Sequence, residues 1–336
     1  MDDSTQLLGI SNAIVDVLTQ IEDGFLDRIG ADRGSMTLID RDRAREIYDM
    51  MGPATEVSGG SVANTIAGFA TLDGRTAHAA YIGKVRDDQF GEVFNHDLRA
   101  LGVDVRLAPA TGGAPTARSY IMISPDGQRT MQTYLGACTE LGVADITTAT
   151  VGKPRVMLIE GYVWDIPEGP ALAEQAMRIA ADTDTTVALS LSDALCVERH
   201  RQSFEDTIRN GAKIVIADED EINALVESKD FDSTLEAIRS YDNLFVVTRS
   251  EKGSVIVHGD EKVEQAATAV VEIVDTTGAG DAYAAGFLYA WTNDRSLAEC
   301  ARLGTYCATH VIQQVGARIE PGLLERYDGQ RDAGFG

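Results

Sequence analysis

Positive charge is scarce in this chain: 29 Lys and Arg stand against 53 Asp and Glu, leaving a net charge of -24. Nucleic acid and anionic membrane surfaces would be repelled by such a field, so neither is expected as a partner. Cysteine is sparse as well. Cys138, Cys196, Cys300 and Cys307 are scattered without a C-x-x-C pair and read as reduced thiols. No run of 18 apolar residues occurs, so no transmembrane helix is expected. The N-terminal MDDSTQLLGI is acidic and too short in apolar residues for a signal peptide, which makes the cytoplasm the expected compartment. The five histidines, His78, His96, His200, His258 and His310, show no ligand spacing, which argues against a metalloenzyme. No glycine loop is followed by the Lys of a Walker A motif. Around Ser61 a hydrolase elbow G-x-S-x-G fails, because Ala63 replaces the second glycine.

What is present is a chain of 336 residues with 44% apolar content, enough to bury a sizeable core. Short β-branched runs (VMLIE at Val156–Glu160, TVALSL at Thr186–Leu191, KIVIA at Lys213–Ala217, NLFVVT at Asn243–Thr248) alternate with helical stretches in the second half. That alternation predicts a largely parallel sheet with helices on both faces. The first half adds strand-like pieces without helix partners at Ile14–Thr19, Met36–Ile39 and Ala117–Leu135. The last of these carries the turn Ser124-Pro125-Asp126-Gly127. No repeat or linker divides the chain. The expectation is one α/β domain over 1–336, with a small β lid from segments of about 14–40 and 115–136.

The most informative stretch is VVEIVDTTGAGDAYAAGFLYAW, from Val270 to Trp291. It reads as a strand, a turn with two glycines, and a helix beginning at about Ala279–Asp281. This arrangement turns free backbone N–H groups toward an anion, aided by the helix dipole. A dinucleotide fingerprint fails here, because Tyr283 stands where a small residue is required. Instead Asp281 follows the last glycine. An acid at that place serves equally as an N-cap or as the base for a hydroxyl attacking a phosphoryl group.

DTTGAGD at Asp275–Asp281 resembles the C-terminal signature of the ribokinase/PfkB carbohydrate kinase family, which includes adenosine kinases. Further landmarks of that family stand in order along nearly the whole chain: GISNAIVD at Gly9–Asp16, SGGSVANT at Ser58–Thr65, YIGKVRDDQFG at Tyr81–Gly91, ADEDE at Ala217–Glu221 and VTRSEKGS at Val247–Ser254. The resemblance implies a three-layer α/β/α ribokinase-like fold and an ATP-dependent kinase of cytoplasmic type. Asp281 would be the base, and the backbone N–H groups of Gly278, Ala279 and Gly280 the anion hole for the transferred phosphoryl group. Asp275 and Thr277 match positions that ligate an activating monovalent cation such as K⁺. Glu221 would hold Mg²⁺ through water. Asp218 stands where the family has Asn, and its extra charge alters the metal's surroundings. Thr248, Arg249 and Gly253 resemble the ATP-binding segment, with Arg249 offering positive charge near a phosphate or a solvated surface side chain.

The same resemblance places the acceptor among Asn12, Asp16, Gly59, Gly60 and Asn64, where a carboxylate can accept from two vicinal hydroxyls. The pattern is more similar to adenosine kinase-like members than to ribokinases. Tyr162, in EGYVWD, falls where an aromatic would stack on a base, with Leu195 near an apolar pocket position; Tyr162 and Trp164 can equally be core aromatics. The expected reaction is transfer of the γ-phosphoryl group of ATP to the 5′-hydroxyl of adenosine. The alternatives are a sugar kinase for ribose, fructose or a related ketose, and a non-catalytic nucleoside-binding regulatory protein. The chain is expected to be a monomer or homodimer.

Overall fold

The computed structural model describes residues 5–76 and 78–332. A nine-stranded sheet runs in the order β14 (Glu261–Gln265), β13 (Ser254–His258), β12 (Leu244–Thr248), β11 (Ala212–Asp218), β10 (Thr186–Ser190), β9 (Val156–Glu160), β1 (Leu7–Ile10), β5 (Ala79–Ile82), β6 (Asp104–Val105). All neighbours are parallel except the edge hairpin β12–β13–β14. Strand β9 shows why the runs are apolar throughout. Every residue of VMLIE is buried, because helices cover both faces. Val156 and Leu158 pack on one side with Phe69 and Phe287, while Met157 and Ile159 pack on the other with Leu172 and Phe204. Helices Ser61–Leu72, Ala279–Thr292 and Leu297–Val311 form the first outer layer. Helices Gly169–Thr183, Ala194–Asn210, Glu219–Val226 and Phe231–Ile238 form the second. The three-layer α/β/α architecture expected from the sequence is the one observed.

A second, five-stranded sheet has the order β3 (Met36–Leu38), β8 (Arg129–Tyr134), β7 (Ala117–Ile123), β2 (Ile14–Gln20), β4 (Thr55–Gly59). The β7–β8 hairpin closes through Ser124, whose N–H donates to Gln128 O at 2.9 Å and whose carbonyl accepts from Gly127 N at 2.8 Å. Strand β4 carries TEVSG, with too few strand formers to be read from sequence. It forms because β2 offers an antiparallel edge, pairing Ile14 with Gly59 and Asp16 with Val57.

One expectation is corrected. Val270–Val274 is not a strand. Val271, Ile273 and Val274 are exposed. The sheet has already ended at β14, so the run finds no edge to join, and Val274 and Asp275 N–H instead donate to Ile312 O at 2.9 and 3.2 Å. Helix Ala194–Asn210 begins where Asp193 caps it by accepting from Cys196 N at 2.7 Å.

Candidate active site

Helix Ala279–Thr292 starts from Gly278, whose φ of 75° favours glycine; a Cβ there would also lie 2.3 Å from Ala317 Cβ. Asp281 therefore stands inside the first helical turn and not at the N-cap, so capping does not account for it. Its carboxylate meets the start of another helix. Oδ1 accepts from Ser61 Oγ at 2.7 Å and Oδ2 from Asn64 Nδ2 at 3.0 Å, both in the first turn of Ser61–Leu72. Desolvation pushes the carboxyl up to about 6, against the Ser61 and Asn64 hydrogen bonds and the charge of Arg318. Gly280 is exposed, and a Cβ on it would meet nothing within 4 Å, so its backbone faces open space beside Asp281.

Asp16, on β2, lies against Gly59 so closely that a Cβ on Gly59 would stand 2.3 Å from its Cγ. Gly60 occupies the N-cap of the Ser61 helix. Burial pushes Asp16 up to about 7, opposed by Arg318 and reinforced by Asp281. Asn12, just beyond β1, is buried. Its Nδ2 donates to Tyr162 O at 3.4 Å, and its Oδ1 is shut off from solvent without a partner among the described residues. Asn12, Asp16, Gly59, Gly60, Asn64 and Asp281 thus lie close together.

Tyr162 sits half-buried in the short turn Gly161–Asp165, its N–H donating to Ser192 Oγ at 3.3 Å and its hydroxyl bonded to Asp193. Trp164 is a core residue. Its Nε1 donates to Ser203 Oγ at 2.8 Å, and its ring lies 4.8 Å from that of Phe204. Leu195 is exposed.

At the ends of β11 and β12, Asp218 and Thr248 are register partners. Asp218 and Glu221 form a reciprocal cap, Asp218 Oδ1 accepting from Glu221 N at 2.8 Å and Glu221 Oε2 from Asp218 N at 2.9 Å. Burial, and then the neighbouring Asp218, push Glu221 up to about 8. Arg249 offers less free charge than its position suggests. Its guanidinium donates to both oxygens of Glu219, at 2.9 and 3.2 Å, and lies 3.6 Å above the centre of the Phe231 ring. Gly253 turns the chain into β13.

Several participants carried no sequence signal. Glu160, the last residue of β9, is buried and accepts from Asn12 N at 2.9 Å and Val62 N at 3.2 Å, tying the segments Gly9–Asp16 and Ser58–Thr65 together. Arg129 of β8 pairs with the Asp275 carboxylate, which also accepts from Gly316 N at 2.7 Å and Thr277 N at 3.0 Å. Arg318 donates to Ser58 O and, at 2.7 Å, to Ser58 Oγ, placing its charge near both Asp16 and Asp281. A charged residue in an ordinary polar stretch carries no mark of such partners.

The histidines call for one amendment. Cys196 and His200, one helical turn apart, meet Asp165 with ligand-type atoms within 4.8 Å of one another. Asp165 is already engaged by Arg199, at 3.1 and 2.6 Å, and by His200 at 2.7 Å, so its oxygens are taken by these partners.

Comparison with known proteins places the whole chain among relatives. The family model described as pfkB family carbohydrate kinase matches residues 35–322. The adenosine kinase of Sinorhizobium meliloti is 47% identical, with a TM-score of 0.88 over 97% of this chain and 99% of that one. A probable sugar kinase of Rhizobium etli CFN 42 is 42% identical, with a TM-score of 0.88 over 99% of each chain. The ATP-dependent ribose-1-phosphate kinase of Halopiger xanaduensis is 27% identical over 284 residues, 80% of this chain and 88% of that protein. Among the described residues no helix is long and apolar enough to cross a membrane.

Proposed function

This chain belongs to the pfkB family of carbohydrate kinases and is an ATP-dependent kinase of the nucleoside and sugar class; from that premise we propose that its acceptor is a nucleoside, adenosine first, phosphorylated on the 5′-hydroxyl. The observation that carries the reading is the Asp281 carboxylate, held by Ser61 and Asn64 beside Gly280, whose backbone faces open space.

With its carboxyl at about 6, Asp281 is largely ionised at neutral pH yet basic enough to take a hydroxyl proton as the oxygen attacks phosphorus. The bond to the ADP leaving group breaks as the new P–O bond forms. The backbone N–H groups of Gly278 and Gly280 receive the developing charge, together with the helix dipole, while the Ala279 N–H expected beside them is taken by Thr276 O at 3.2 Å. Arg129, beside Asp275 at the start of the same turn, brings a further positive group within reach of the transferred phosphoryl. Asp16 accepts from ribose hydroxyls, and the unpaired Asn12 Oδ1 is an acceptor awaiting a donor. Thr248 and Gly253 shape the nucleotide side, while Arg249, neutralised by Glu219, contributes a flat wall there more than net charge. The five-stranded sheet serves as the lid, because β2, β4 and β8 carry Asp16, Ser58 and Arg129 to the reacting centre; closure would exclude water.

Asp218 and Glu221 fit a hard divalent cation: they are adjacent carboxylates, raised in pKa by burial, with no cationic partner among the described residues. Mg²⁺ held there, through water at Glu221, would neutralise phosphate charge. A monovalent cation does not fit Asp275 and Thr277 in this arrangement, since Arg129, Gly316 N–H and Thr277 N–H already surround the carboxylate.

A flat aromatic face favours a nucleoside over a free sugar, and Tyr162 provides one beside Asn12. The experiment is a steady-state panel of adenosine, other nucleosides, ribose and fructose with wild type, Asp281→Asn and Tyr162→Ala. Asp281→Asn should lose about 10²–10⁴ in rate on every acceptor, the usual worth of a general base. Tyr162→Ala should raise the adenosine KM about ten- to a hundredfold, from stacking worth about 1–3 kcal/mol, and leave sugars nearly untouched. Higher kcat/KM on ribose or fructose than on every nucleoside would replace this reading with the sugar-kinase one.

A further inference from the structure

The Tyr81–Gly91 stretch contributes no group to the cleft described above. Its Asp88 caps the helix Gln89–Ala100 by accepting from Gly91 N at 2.9 Å, and it accepts from Thr116 Oγ1 at 2.6 Å and Thr116 N at 3.0 Å. Beside it opens a cavity of about 460 Å³, walled by Arg86, Glu92, Asn95, His96, Arg99 and Pro109. Glu92, Asn95, His96 and Arg99 follow the three- and four-residue spacing of one helical face. Another side of the same helix holds the acceptor wall, where Asp97 Oδ2 accepts from Ser58 N at 2.8 Å. The helix therefore stands between this cavity and the Asp281 cleft.

Two buried polar atoms of the wall have no partner among the described residues, while His96 Nδ1 lies 3.8 Å from Asp97 Oδ1. Asn95 is only 4% exposed, and its Oδ1 has no hydrogen-bond partner among the described residues. Arg86 Nη1 is likewise shut off from solvent and unpartnered, 3.6 Å from where a Cβ on Gly112 would sit. Neither Arg86 nor Arg99 forms an ion pair among the described residues, in a chain where 53 acids compete for 29 basic groups. Buried amides and guanidinium nitrogens are costly to leave unpaired, so such groups are ordinarily satisfied by something.

We propose that this cavity binds a small phosphate-bearing molecule, with Arg86 and Arg99 holding the phosphate and Asn95 a neighbouring hydroxyl. Guanidinium groups match phosphate oxygens in pairs, which is the geometry a lone ammonium lacks. Asn95 Oδ1 needs a donor, and a hydroxyl beside the phosphate supplies it. The carboxylates of Asp87 and Glu92 also line the cavity, so they repel a triphosphate and favour a monoester that brings hydroxyl donors. The volume falls within the range of small-molecule pockets, about 300–1,000 Å³.

The test is equilibrium binding of ribose 5-phosphate and of inorganic phosphate to the full chain. A saturating non-hydrolysable ATP analogue with adenosine is present, so that the Asp281 cleft is filled. One site for ribose 5-phosphate is expected, bound at least about tenfold more tightly than inorganic phosphate. Arg99→Gln, on an exposed helix position that does not endanger the fold, should weaken it about tenfold and leave the phosphate-free kcat unchanged. Arg86→Met should abolish binding, and Arg86→Lys restore it only in part. Equal affinity for the two probes would overturn the role given to Asn95. Binding that is absent, or unmoved by Arg99→Gln and Arg86→Met, would overturn the site.

Discussion

Ser61→Ala isolates a single hydrogen bond to the proposed base, Asp281. Ser61 Oγ donates to Asp281 Oδ1 at 2.7 Å, and Asn64 supplies a second bond at 3.0 Å. Both favour the ionised carboxylate, while desolvation opposes it, and the carboxyl settles at about 6 against an ordinary value of 3.8. A hydrogen bond to a charged group is worth about 1.5–3 kcal/mol, and one pKa unit about 1.4 kcal/mol, so its loss should carry Asp281 to about 7–8. The base works only when ionised. Activity is therefore full above the pKa and falls as pH drops through it, and the variant should lose activity at higher pH than the wild type. At pH 7 the ionised fraction would fall from about nine-tenths to between about half and a tenth, whereas near pH 9 the two proteins should converge. The assay is kcat/KM for the acceptor from pH 5 to 9 at saturating ATP, whose acid limb reports groups of the ATP-bound enzyme before the acceptor binds. Asp16, pushed up to about 7, titrates in the same range, so the wild-type limb should steepen toward a slope of two below about pH 6. An acid limb that overlays the wild type, with a uniform drop at every pH, would refute the argument and leave Ser61 a packing residue.

Two further substitutions probe the walls of the cleft. Gly59→Ala puts a Cβ 2.3 Å from the Asp16 carboxyl carbon, so Asp16 must swing away from the acceptor; the acceptor KM should rise about ten- to a hundredfold, as for one charged hydrogen bond lost, with the ATP KM unchanged. An unchanged acceptor KM would mean that Asp16 does not touch the acceptor. Asp218→Asn keeps an oxygen for the Glu221 N–H cap but removes the neighbouring charge that helps to raise Glu221. The Mg²⁺ concentration for half-maximal rate should change while the acceptor KM stays, and an unaltered Mg²⁺ titration would place Asp218 outside the metal's surroundings.

Much of the molecule was legible from residue order. The buried strands β9, β11 and β12 are continuous apolar runs because both their faces are covered, and the glycine turn before Asp281 marked its helix within a residue. The same reasoning misled at Val270–Val274, where a β-branched run found no free sheet edge, and it passed over β4, whose weak strand formers depend on β2.

Local patterns are set by neighbours a few residues apart, so the sequence by itself determined the layer order, the start of the Asp281 helix and the chemistry available at DTTGAGD. Only the tertiary structure decided who meets whom. Ser61 reaches Asp281 across 220 positions, Arg129 reaches Asp275 across 146, and Arg318 reaches Ser58 across 260. It also decided which acids titrate near neutrality. Desolvation and nearby charge belong to the packed surroundings, and the same Asp in an unfolded chain would sit at its ordinary value.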